Sequence, residues 1–464
     1  MHNLFGKVRR VHFIGIGGIG MSGIAEVLYN LGLEVTGSDL NEGINVKRLR
    51  ELGVEVFIGH NSENIKNADV VVYSSAIGHD NPEILAAKDM HIPVIKRGEM
   101  LAELTRLKRS ITVSGSHGKT TTTSMIAHIF MEAGFDPTVV VGGRLNKTNK
   151  NAMLGTGNYL VCESDESDKS FLLLYPTVNV VTNIDLEHLD TYKNLDEIKN
   201  AFVEYCNKVP FYGLNVLCIE DKNVVDIIPR IEKRFQTYGF KGSANIRGYN
   251  IEKVGFGTKF DVSIFGKRAG KINLHIPGMH NVLNALAAVA VAIEFEINFS
   301  VIKKAFESFE GVQRRLSIRY CDEKRTVIDD YGHHPTEIKA TLKSIKDAFP
   351  EHKLYTIFQP HRYSRTKLLF DEFSSAFFDT DVLIVTDIYP ASEFPLEGVN
   401  SQKLVESIKE HGFKEVYQLN ELSEIIKLIE EKNDFPQIIL TLGAGNITEY
   451  SYKIANCFRG DTNG

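Results

Sequence analysis

Residues 111–123 form a pattern that is suited to binding phosphate. A β-branched run leads into a loop with glycine at 115 and 118, and Lys119-Thr120 opens a segment with helical spacing. Backbone N–H groups of such a loop, the positive end of the helix dipole and the lysine ammonium all attract anions. The loop departs from G-x-x-x-x-G-K-[ST] because Val113 occupies the first glycine position. A Ser/Thr-rich turn that only caps a helix is the alternative, and the pattern favours nucleotide phosphate binding.

Carboxylates follow the next predicted strand of this region. An apolar run from Tyr159 to Cys162 ends in 163–168, which reads Glu-Ser-Asp-Glu-Ser-Asp. ATP enzymes hold Mg²⁺ with carboxylates beside a P-loop. A solvated acidic loop is the alternative, but four carboxylates in six residues favour a metal. A later strand leads towards His188, whose local pattern fits a structural histidine as well as a metal ligand.

A second glycine loop lies near the N-terminus. A strand over 11–14 precedes a G-x-G-x-x-G pattern and a helix that reaches Leu31. The glycines are Gly15, Gly17, Gly18 and Gly20. The next strand ends near Asp39, about where dinucleotide folds place the acid that binds ribose. The pattern predicts a Rossmann-like unit for a nucleotide diphosphate, and a glycine turn required only for packing is the alternative.

Polar clusters follow two predicted strands beyond residue 325. The strand 326–330 ends in two aspartates and is followed by Tyr-Gly-His-His-Pro-Thr-Glu over 331–337. The strand 354–358 is followed by Gln-Pro-His-Arg-Tyr-Ser-Arg over 359–365. Open α/β sheets bind ligands at the carboxyl ends of their strands. The two clusters therefore predict a binding site, with structural ion pairs as the alternative.

The alternation of strands and helices predicts an α/β protein of three domains. A length of 464 residues exceeds one ordinary core. We expect a Rossmann-like domain over 1–106, a central P-loop domain over 107–312 and a Rossmann-like α/β domain over 313–464. Residues 104–110 are interpreted as a connector and 216–278 as a β-ribbon insertion. The apolar stretch 282–295 is too short for a bilayer crossing and predicts a buried helix.

The composition excludes several classes of protein. A formal net charge of −6 gives no support for nucleic-acid binding. The five cysteines are scattered, which predicts neither a disulfide framework nor a zinc site. The apolar run after Lys7 is interrupted by glycines and followed by Glu26, unlike a signal peptide. These features predict a cytoplasmic protein without membrane insertion, and none of them defines an oligomeric state.

Taken together, the motifs resemble those of the Mur ligases over essentially the whole chain. As an ordered set they are highly specific, and they occupy residues 15–20, 115–121, 163–168, 183–190, 280–284, 329–335 and 358–365. The last two resemble the loops of the alanine-adding member and differ from those of the member that recycles murein tripeptide. Members that add later amino acids carry a carbamylated lysine near the metals. No clear counterpart is present here, and Lys169 is not assigned that role.

The resemblance implies an ATP-dependent ligase of peptidoglycan precursor synthesis, which serves cell-wall formation, cell shape and division. ATP would phosphorylate the lactyl carboxylate of UDP-N-acetylmuramate, and the amine of L-alanine would attack the acyl phosphate to give an amide, ADP and phosphate. Elementary chemistry agrees, because an amine does not attack a carboxylate at neutral pH without a better leaving group. Phosphoryl transfer in turn requires positive charge around the γ-phosphate.

The resemblance also implies roles for individual residues. The expected catalytic residues are Lys119, His188, His333 and Arg365. ATP is expected to contact Gly115, Ser116, His117, Gly118, Lys119, Thr120, Thr121, Asn281, Arg315 and Asp330. Two Mg²⁺ sites are expected, one on Thr120 and Glu163 and one on His188 and Glu163. The UDP-sugar is expected on Gly15, Gly17, Gly18, Gly20, Asp39, His60 and Ser74, and the amino acid on Tyr331, His333, His361, Arg362 and Arg365.

Three other functions remain open at the level of sequence. An NAD-dependent oxidoreductase would use residues 15–39 but would leave the P-loop and the C-terminal clusters without a role. A P-loop switch or scaffold would bind nucleotide without turnover that an amino acid stimulates. A tripeptide-recycling ligase would share the reaction and differ in its acceptor, so comparing L-alanine with the tripeptide distinguishes the two.

Overall fold

The computed structural model describes residues 5–74, 76–141, 152–187, 191–391, 393–432 and 434–460. Within these residues the chain forms three β-sheets with associated helices. The chain divides into two compact units. Unit 1 comprises residues 1–250, 260–272 and 283–309, and unit 2 comprises 251–259, 273–282 and 310–464.

The first sheet, in unit 1, has the order β3-β2-β1-β4-β5, and its paired strands are parallel. Its strands are β1 (Arg10–Ile14), β2 (Glu34–Asp39), β3 (Glu55–Ile58), β4 (Val70–Tyr73) and β5 (Val94–Lys96). Its helices are α1 (Ile19–Asn30), α2 (Ile44–Glu51), α3 (Pro82–Asp89) and α4 (Arg97–Leu107), with a 3-10 turn at Ser62–Ile65. β2 and β3 lie on one side of β1, and β4 and β5 lie on its other side. The carboxyl ends of β1 and β4 therefore border the crevice where such sheets bind ligands.

The central sheet has the order β15-β14-β13-β12-β11-β10-β6-β9-β7-β8. Its strands are β6 (Arg109–Ser114), β7 (Thr138–Val140), β8 (Ala152–Met153), β9 (Tyr159–Glu163), β10 (Val178–Val181), β11 (Leu214–Cys218), β12 (Phe235–Gly239), β13 (Ile246–Val254), β14 (Gly257–Ile264) and β15 (Lys267–Leu274). The helices of this region are α5 (Lys119–Glu132), α6 (Leu195–Asn207), α7 (Lys222–Ile227), α8 (Met279–Glu294) and α9 (Phe299–Glu307), with 3-10 turns at Ser170–Leu173 and Ile228–Arg230.

Two sequence interpretations of this region are wrong in part. The ribbon expected over 216–278 is limited to β13, β14 and β15. β11 and β12 instead extend the parallel sheet beside β10, because their side chains are buried and suit an interior strand. The connector expected over 104–110 is also absent as such, since α4 continues to Leu107 and β6 begins at Arg109.

The buried helix expected near 282–295 is confirmed as α8. Its residues 285–292 are fully buried, in agreement with their apolar character. No helix in the described part of the chain combines the length and apolarity that a membrane crossing requires.

The third sheet, in unit 2, has the order β16-β17-β21-β18-β19-β20. Its strands are β16 (Ser317–Cys321), β17 (Arg325–Asp330), β18 (Lys353–Phe358), β19 (Val382–Val385), β20 (Val416–Gln418) and β21 (Gln437–Leu442). Its helices are α10 (Pro335–Ala348), α11 (Tyr363–Leu368), α12 (Phe370–Ser374), α13 (Ser401–Glu410), α14 (Leu422–Lys432) and α15 (Thr448–Arg459). Only β16 pairs antiparallel among the described strands of this sheet, so the loops after β17 and β18 leave the same edge.

An aromatic cluster in unit 1 fixes the helix that follows the P-loop. The ring of Phe130, on α5, is fully buried and lies 5.2–5.4 Å from the rings of Phe135, Tyr159 and Phe295, measured between centroids. The edge-to-face arrangement adds a favourable term to the burial of four large apolar surfaces. The cluster therefore joins α5 to β9 and to the segment that follows α8.

We expect Phe130→Ala to destabilise unit 1 by about 3–5 kcal/mol, because it leaves a cavity at the centre of this cluster. Urea unfolding monitored by circular dichroism measures the change. The matched control is Phe211→Ala in the same unit, where the side chain is 88% exposed and the expected change is below about 0.5 kcal/mol. Equal shifts of the unfolding midpoint for the two variants would contradict the role of the cluster.

Candidate active site

The P-loop lies at the carboxyl edge of the central sheet, between β6 and α5. β6 is flanked by β10 on one side and by β9 on the other. The loops that follow these three parallel strands, over 115–118, 164–168 and 182–187, therefore leave the same edge of the sheet.

Both glycines of the P-loop are required by their surroundings. Gly115 has φ +122°, and a Cβ atom there would lie 2.2 Å from Oγ1 of Thr182 and 2.8 Å from the carbonyl oxygen of Asn183. Gly118 has φ +83°, and a Cβ atom there would lie 2.7 Å from Oδ1 of Asn284. A side chain at either position would both strain the backbone and displace these groups.

The segment after β10 holds the P-loop in place through hydrogen bonds. Asn183 accepts from the backbone N–H of His117 at its Oδ1 atom (2.8 Å) and donates from Nδ2 to the His117 carbonyl (3.0 Å). Thr182 donates its hydroxyl to the same carbonyl (2.7 Å), and the N–H of Asp185 donates to Oγ of Ser116 (2.8 Å). Sequence reasoning gave Thr182, Asn183 and Asp185 no role, although their position directly after a strand beside β6 was the available signal.

Lys119 places a positive charge inside this loop. Its Nζ atom donates to the carbonyls of Gly115 (2.5 Å) and Ser116 (3.3 Å) and to Oε1 of Glu166 (2.8 Å). Burial alone would lower the pKa of this ammonium, but Glu166 and Asp165 outweigh it and raise the pKa above its ordinary value. The lysine is therefore charged at neutral pH and lies at the amino end of α5, where the helix dipole adds to its attraction for an anion.

The acidic segment after β9 lies beside this charge. Glu163 ends β9 and is in register with Val113 of β6. The carboxylate of Asp165 lies 3.0 Å from the guanidinium of Arg97. Burial raises the pKa of Asp165, yet Lys119 and Arg97 outweigh it, so this carboxyl is held below its ordinary pKa.

The oxygen atoms around the P-loop fit a magnesium ion. Thr120 contributes a hydroxyl that makes no hydrogen bond within the described residues, and Glu163 contributes a carboxylate at the neighbouring strand end. Hydroxyl and carboxylate oxygens are the hard ligands that Mg²⁺ prefers. His188, the other expected ligand, lies outside the described residues. Lys169 forms an ion pair with Glu197 (2.7 Å), which gives its side chain a structural role.

The N-terminal glycine loop is the second candidate site of unit 1. All seven residues predicted for the UDP-sugar lie at the carboxyl edge of the first sheet, namely Gly15, Gly17, Gly18, Gly20, Asp39, His60 and Ser74. Asp39 orders this loop, since its carboxylate accepts from the backbone N–H groups of Gly17 (2.9 Å) and Asn41 (3.1 Å). The loop then enters α1, whose amino end faces the same edge.

In unit 2, Asp330 is buried at the end of β17. Its carboxylate accepts from the backbone N–H groups of Leu316 and Gly332, both at 2.8 Å. Burial raises the pKa of Asp330, and the nearby Arg315 does not fully offset this effect. Asn281 donates from Nδ2 to the carbonyl of Pro277 (2.7 Å) and so closes the turn that begins α8. The structure thus gives Asp330 and Asn281 clear local contacts, while their predicted contacts with ATP stay predictions.

The residues predicted for the amino acid form a cluster at the ends of β17 and β18. The imidazole of His333 lies 5.3 Å from the ring of Tyr331 and 5.8 Å from that of His361, measured between centroids. Arg365 lies with Nη1 3.1 Å from Nδ1 of His361. Arg362 is exposed; its backbone N–H donates to the carbonyl of residue 389 (2.9 Å), and its backbone carbonyl accepts from the hydroxyl of Thr366 (2.8 Å).

Two arginines next to this cluster were only partly foreseen. Arg314 and Arg315 lie over the ring of Tyr331, with their guanidinium carbons 4.9 Å and 5.2 Å from its centroid. Arg314 also donates from Nη2 to the carbonyl of Gly443 (2.6 Å). The resemblance implied a role for Arg315 alone, as a contact with ATP, and gave none to Arg314.

Both histidines of the cluster are neutral at pH 7. Burial lowers the pKa of His333 to about 3, and the proximity of Arg365 and His361 adds to the effect. Burial also lowers the pKa of His361 to about 4, with Arg365 and Arg362 contributing. Nδ1 of His361 already accepts from Arg365, whereas Nδ1 of His333 donates to the carbonyl of Tyr331 (3.1 Å), which leaves Nε2 of His333 as an acceptor. The cluster therefore combines arginine charges with one accepting imidazole, which suits the binding of an anionic group beside an amine.

Comparison with protein families matches three consecutive segments of the chain. Residues 10–109 match the domain described as "Mur ligase family, catalytic domain", and residues 113–292 match the "Mur ligase middle domain". Residues 314–445 match the "Mur ligase, glutamate ligase domain". The expected three-domain α/β architecture is confirmed by these matches.

Curated relatives and solved structures agree with these matches. The UDP-N-acetylmuramate–L-alanine ligase of Geobacter sp. strain M21 is 54% identical over 444 residues, which cover 96% of each chain. The enzyme of that name from Trichlorobacter lovleyi is 53% identical and covers 96% of this chain and 98% of its own. A solved UDP-N-acetylmuramate–alanine ligase from Thermotoga maritima has a TM-score of 0.83 at 32% identity, covering 98% of this chain and 100% of that one.

We expect unit 2 to lose stability as the pH falls from about 6.5 towards 4, in part because of His333 and His361. The unfolded chain binds protons at these histidines near pH 6.5, whereas the folded chain binds them only near pH 3 and 4. Where the unfolded state binds more protons, stability decreases on acidification.

Urea unfolding at a series of pH values between 7.5 and 5 tests this dependence. The double variant His333→Gln, His361→Gln should lose less stability over this interval than the unaltered protein. His411→Gln, at an exposed histidine of the same unit, is the control and should follow the unaltered protein. Parallel curves for the unaltered protein and the double variant would rule out the two histidines as the source.

Proposed function

This chain belongs to the Mur ligase family, and we propose that it joins L-alanine to the lactyl carboxylate of UDP-N-acetylmuramate. ATP drives the reaction through an acyl phosphate and leaves as ADP and phosphate. The product is a precursor of peptidoglycan. The observation that carries the proposal is the charged Lys119 within a P-loop beside carboxylates, in a chain 54% identical to a relative named for this reaction.

Each domain has a distinct part in this proposal. Residues 1–106 bind the UDP-sugar through the glycine loop, Asp39, His60 and Ser74. Residues 107–312 bind ATP, and residues 313–464 bind the amino acid and contribute Arg315 and Asp330 to the nucleotide. Nucleotide sugars and ATP are reactants of the cytoplasm, and we place the reaction there.

The first step is transfer of the γ-phosphoryl group to the lactyl carboxylate. A carboxylate oxygen forms the new bond to phosphorus while the bond to the ADP oxygen breaks. The N–H groups of the P-loop, the amino end of α5 and the ammonium of Lys119 stabilise the negative charge on the transferred group. Thr120 and Glu163 would hold one Mg²⁺ and Glu163 with His188 a second, and a bound metal ion would supply further positive charge to the phosphates.

The second step is attack of the alanine amine on the acyl phosphate. The nitrogen forms a bond to the carbonyl carbon, the tetrahedral intermediate loses phosphate, and the amide remains. Arg365 pairs with the alanine carboxylate, and the ring of Tyr331 limits the space for the side chain. His333 is neutral at pH 7, so its imidazole offers the incoming amine a hydrogen-bond acceptor in place of a positive charge.

A tripeptide-recycling ligase is the second candidate. A murein peptide ligase from Psychrobacter arcticus has a TM-score of 0.72 over 98% of this chain, but its identity of 23% supports the fold alone. The curated relatives that share more than half of their residues with this chain are named for L-alanine. We therefore favour alanine as the acceptor.

Phosphate release from ATP and Mg²⁺ tests the reaction. We expect release that requires both UDP-N-acetylmuramate and L-alanine, together with a product that is heavier by one alanine residue in mass spectrometry. Release with the murein tripeptide in place of L-alanine would favour the second candidate. If neither L-alanine nor the tripeptide supports phosphate release, the nucleotide-binding sites would stand but the proposed reaction would be ruled out.

We expect Lys119→Ala to lower the rate of phosphate release by about 10²–10³-fold or more, because the transferred phosphoryl group loses its closest positive charge. Binding of UDP by calorimetry should be unchanged, since the UDP loop belongs to a different sheet. Lys169→Ala is the matched control, because Lys169 follows the same acidic segment but pairs with Glu197. Turnover by Lys119→Ala equal to that of Lys169→Ala would contradict the assigned role.

A further inference from the structure

A buried carboxylate next to the first sheet takes no part in the reaction described above. Glu83 lies in the first turn of α3, and neither its side chain nor Ser38 is exposed to solvent. Its Oε2 atom accepts a hydrogen bond of 2.6 Å from Oγ of Ser38. The same Oγ atom lies 3.0 Å from Nδ1 of His60. These three side chains, the Glu83 relay, connect a buried charge to a residue predicted to bind UDP.

The surroundings of Glu83 keep it ionised. Its Oε1 atom accepts from Nδ2 of Asn64 (2.6 Å) and from the backbone N–H of Asn61 (3.2 Å). The amino end of α3 also favours a negative charge. Burial alone would raise the pKa of this carboxyl, but contacts with His12, Ser38 and Asn64 outweigh burial and hold the pKa of Glu83 below its ordinary value. Both oxygens of Glu83 therefore accept hydrogen bonds at neutral pH.

The number of protons in the relay then defines the tautomer of His60. A serine hydroxyl has one proton, and Ser38 donates it to the carboxylate. The hydrogen bond between Ser38 and His60 must therefore use a proton on Nδ1 of the imidazole. A neutral imidazole carries a single N–H, so Nε2 is left as an acceptor. No group of the described residues donates to this nitrogen, and the side chain is 11% exposed.

His60 lies at the same edge of the first sheet as the predicted UDP loop. His60 follows β3, and the preceding Gly59 donates its N–H to the carbonyl of Asp39 (2.8 Å). Asp39 in turn accepts from the N–H of Gly17 in the glycine loop (2.9 Å). The Glu83 relay and the glycine loop therefore both contact the carboxyl end of β2, the relay through Ser38 and the loop through Asp39.

We propose that Glu83 is a positioning residue, which acts through Ser38 to fix His60 as the Nδ1–H tautomer, so that Nε2 accepts a hydrogen bond from UDP. The proposal rests on the UDP-binding role proposed above. UDP offers two kinds of proton for this bond, the uracil N3–H and the ribose hydroxyls. In the opposite tautomer Nε2 would carry a proton, and it could not accept a hydrogen bond from either of these groups.

The substitution Glu83→Gln reverses the relay while keeping the size of the side chain. The donors on Asn64 and Asn61 require the new amide to place its oxygen at the Oε1 position, so that its NH₂ group faces Ser38. Ser38 then accepts from the amide and donates its own proton to Nδ1 of His60. The proton of the imidazole consequently moves to Nε2.

Nitrogen-15 NMR of histidine-labelled protein at pH 7.5 reports the tautomer without any ligand. The signals of His60 are assigned by their absence from His60→Asn. We expect Nδ1–H in the unaltered protein and Nε2–H in Glu83→Gln. Glu34→Gln, at an exposed carboxylate of β2 that pairs with Arg10, is the matched control and should keep Nδ1–H. An unchanged tautomer in Glu83→Gln would overturn the proposal.

Calorimetry with UDP connects the tautomer to binding. We expect Glu83→Gln to weaken UDP binding by about tenfold, the equivalent of one hydrogen bond, and to raise KM for UDP-N-acetylmuramate by a similar factor with kcat retained. Two analogues identify the donor: N3-methyl-UDP lacks the uracil N3–H, and 2′-deoxy-UDP lacks the ribose 2′-hydroxyl. The analogue that lacks the donor cannot form the bond to Nε2, so it should bind the unaltered protein and Glu83→Gln equally. Equal affinity of both proteins for UDP would overturn the proposal. Failure of the unaltered protein to bind UDP would instead overturn the UDP-binding role itself, whichever tautomer NMR reports.

Discussion

The proposed reaction depends on one electrostatic arrangement, in which a lysine ammonium is held inside a glycine loop beside carboxylates. Lys119 is charged because Glu166 and Asp165 outweigh the effect of its burial. The loop keeps its shape because the segment after β10 bonds to its backbone, most directly through Asn183. An anion that enters this loop is attracted by both the ammonium and the helix dipole, and the carboxylate of Glu163, at the neighbouring strand end, is where we propose the metal ion. Phosphoryl transfer from a magnesium nucleotide requires both at once.

The same sheet geometry places the other loops that we predict to bind ligands. Parallel strands bring their following loops to one edge, and the predicted binding loops lie at this edge in each of the three sheets. In the first sheet the edge carries the glycine loop and Asp39, and in the third it carries His333 and His361. The supporting contacts differ, however. The first edge is ordered by backbone N–H groups that donate to a carboxylate, and the third by packed aromatic rings and arginines. Burial, with a smaller contribution from the arginines, lowers the pKa values of His333 and His361.

The sequence predicted the strands and motifs well because apolar runs and glycine loops are local signals. It placed Lys119 at the start of a helix and His333 after a strand, as the structure confirms. It misread β11 and β12 as part of a ribbon, because the same short apolar runs suit an interior parallel strand as well as an edge hairpin. Contacts between distant segments are not visible in local patterns. Asn183 follows a predicted strand, but its bonds to the P-loop, like the relay from Glu83 to His60, emerged only from the structure.

The most direct test of the central claim follows the oxygen atoms of the lactyl carboxylate. UDP-N-acetylmuramate labelled with ¹⁸O in this group is converted with ATP, Mg²⁺ and L-alanine, and the released phosphate is analysed by mass spectrometry. Attack of the carboxylate on the γ-phosphate predicts that each phosphate formed with product carries one atom from the labelled carboxylate. Phosphate free of label, formed together with the alanine adduct, would contradict an acyl phosphate and with it the role assigned to the Lys119 loop.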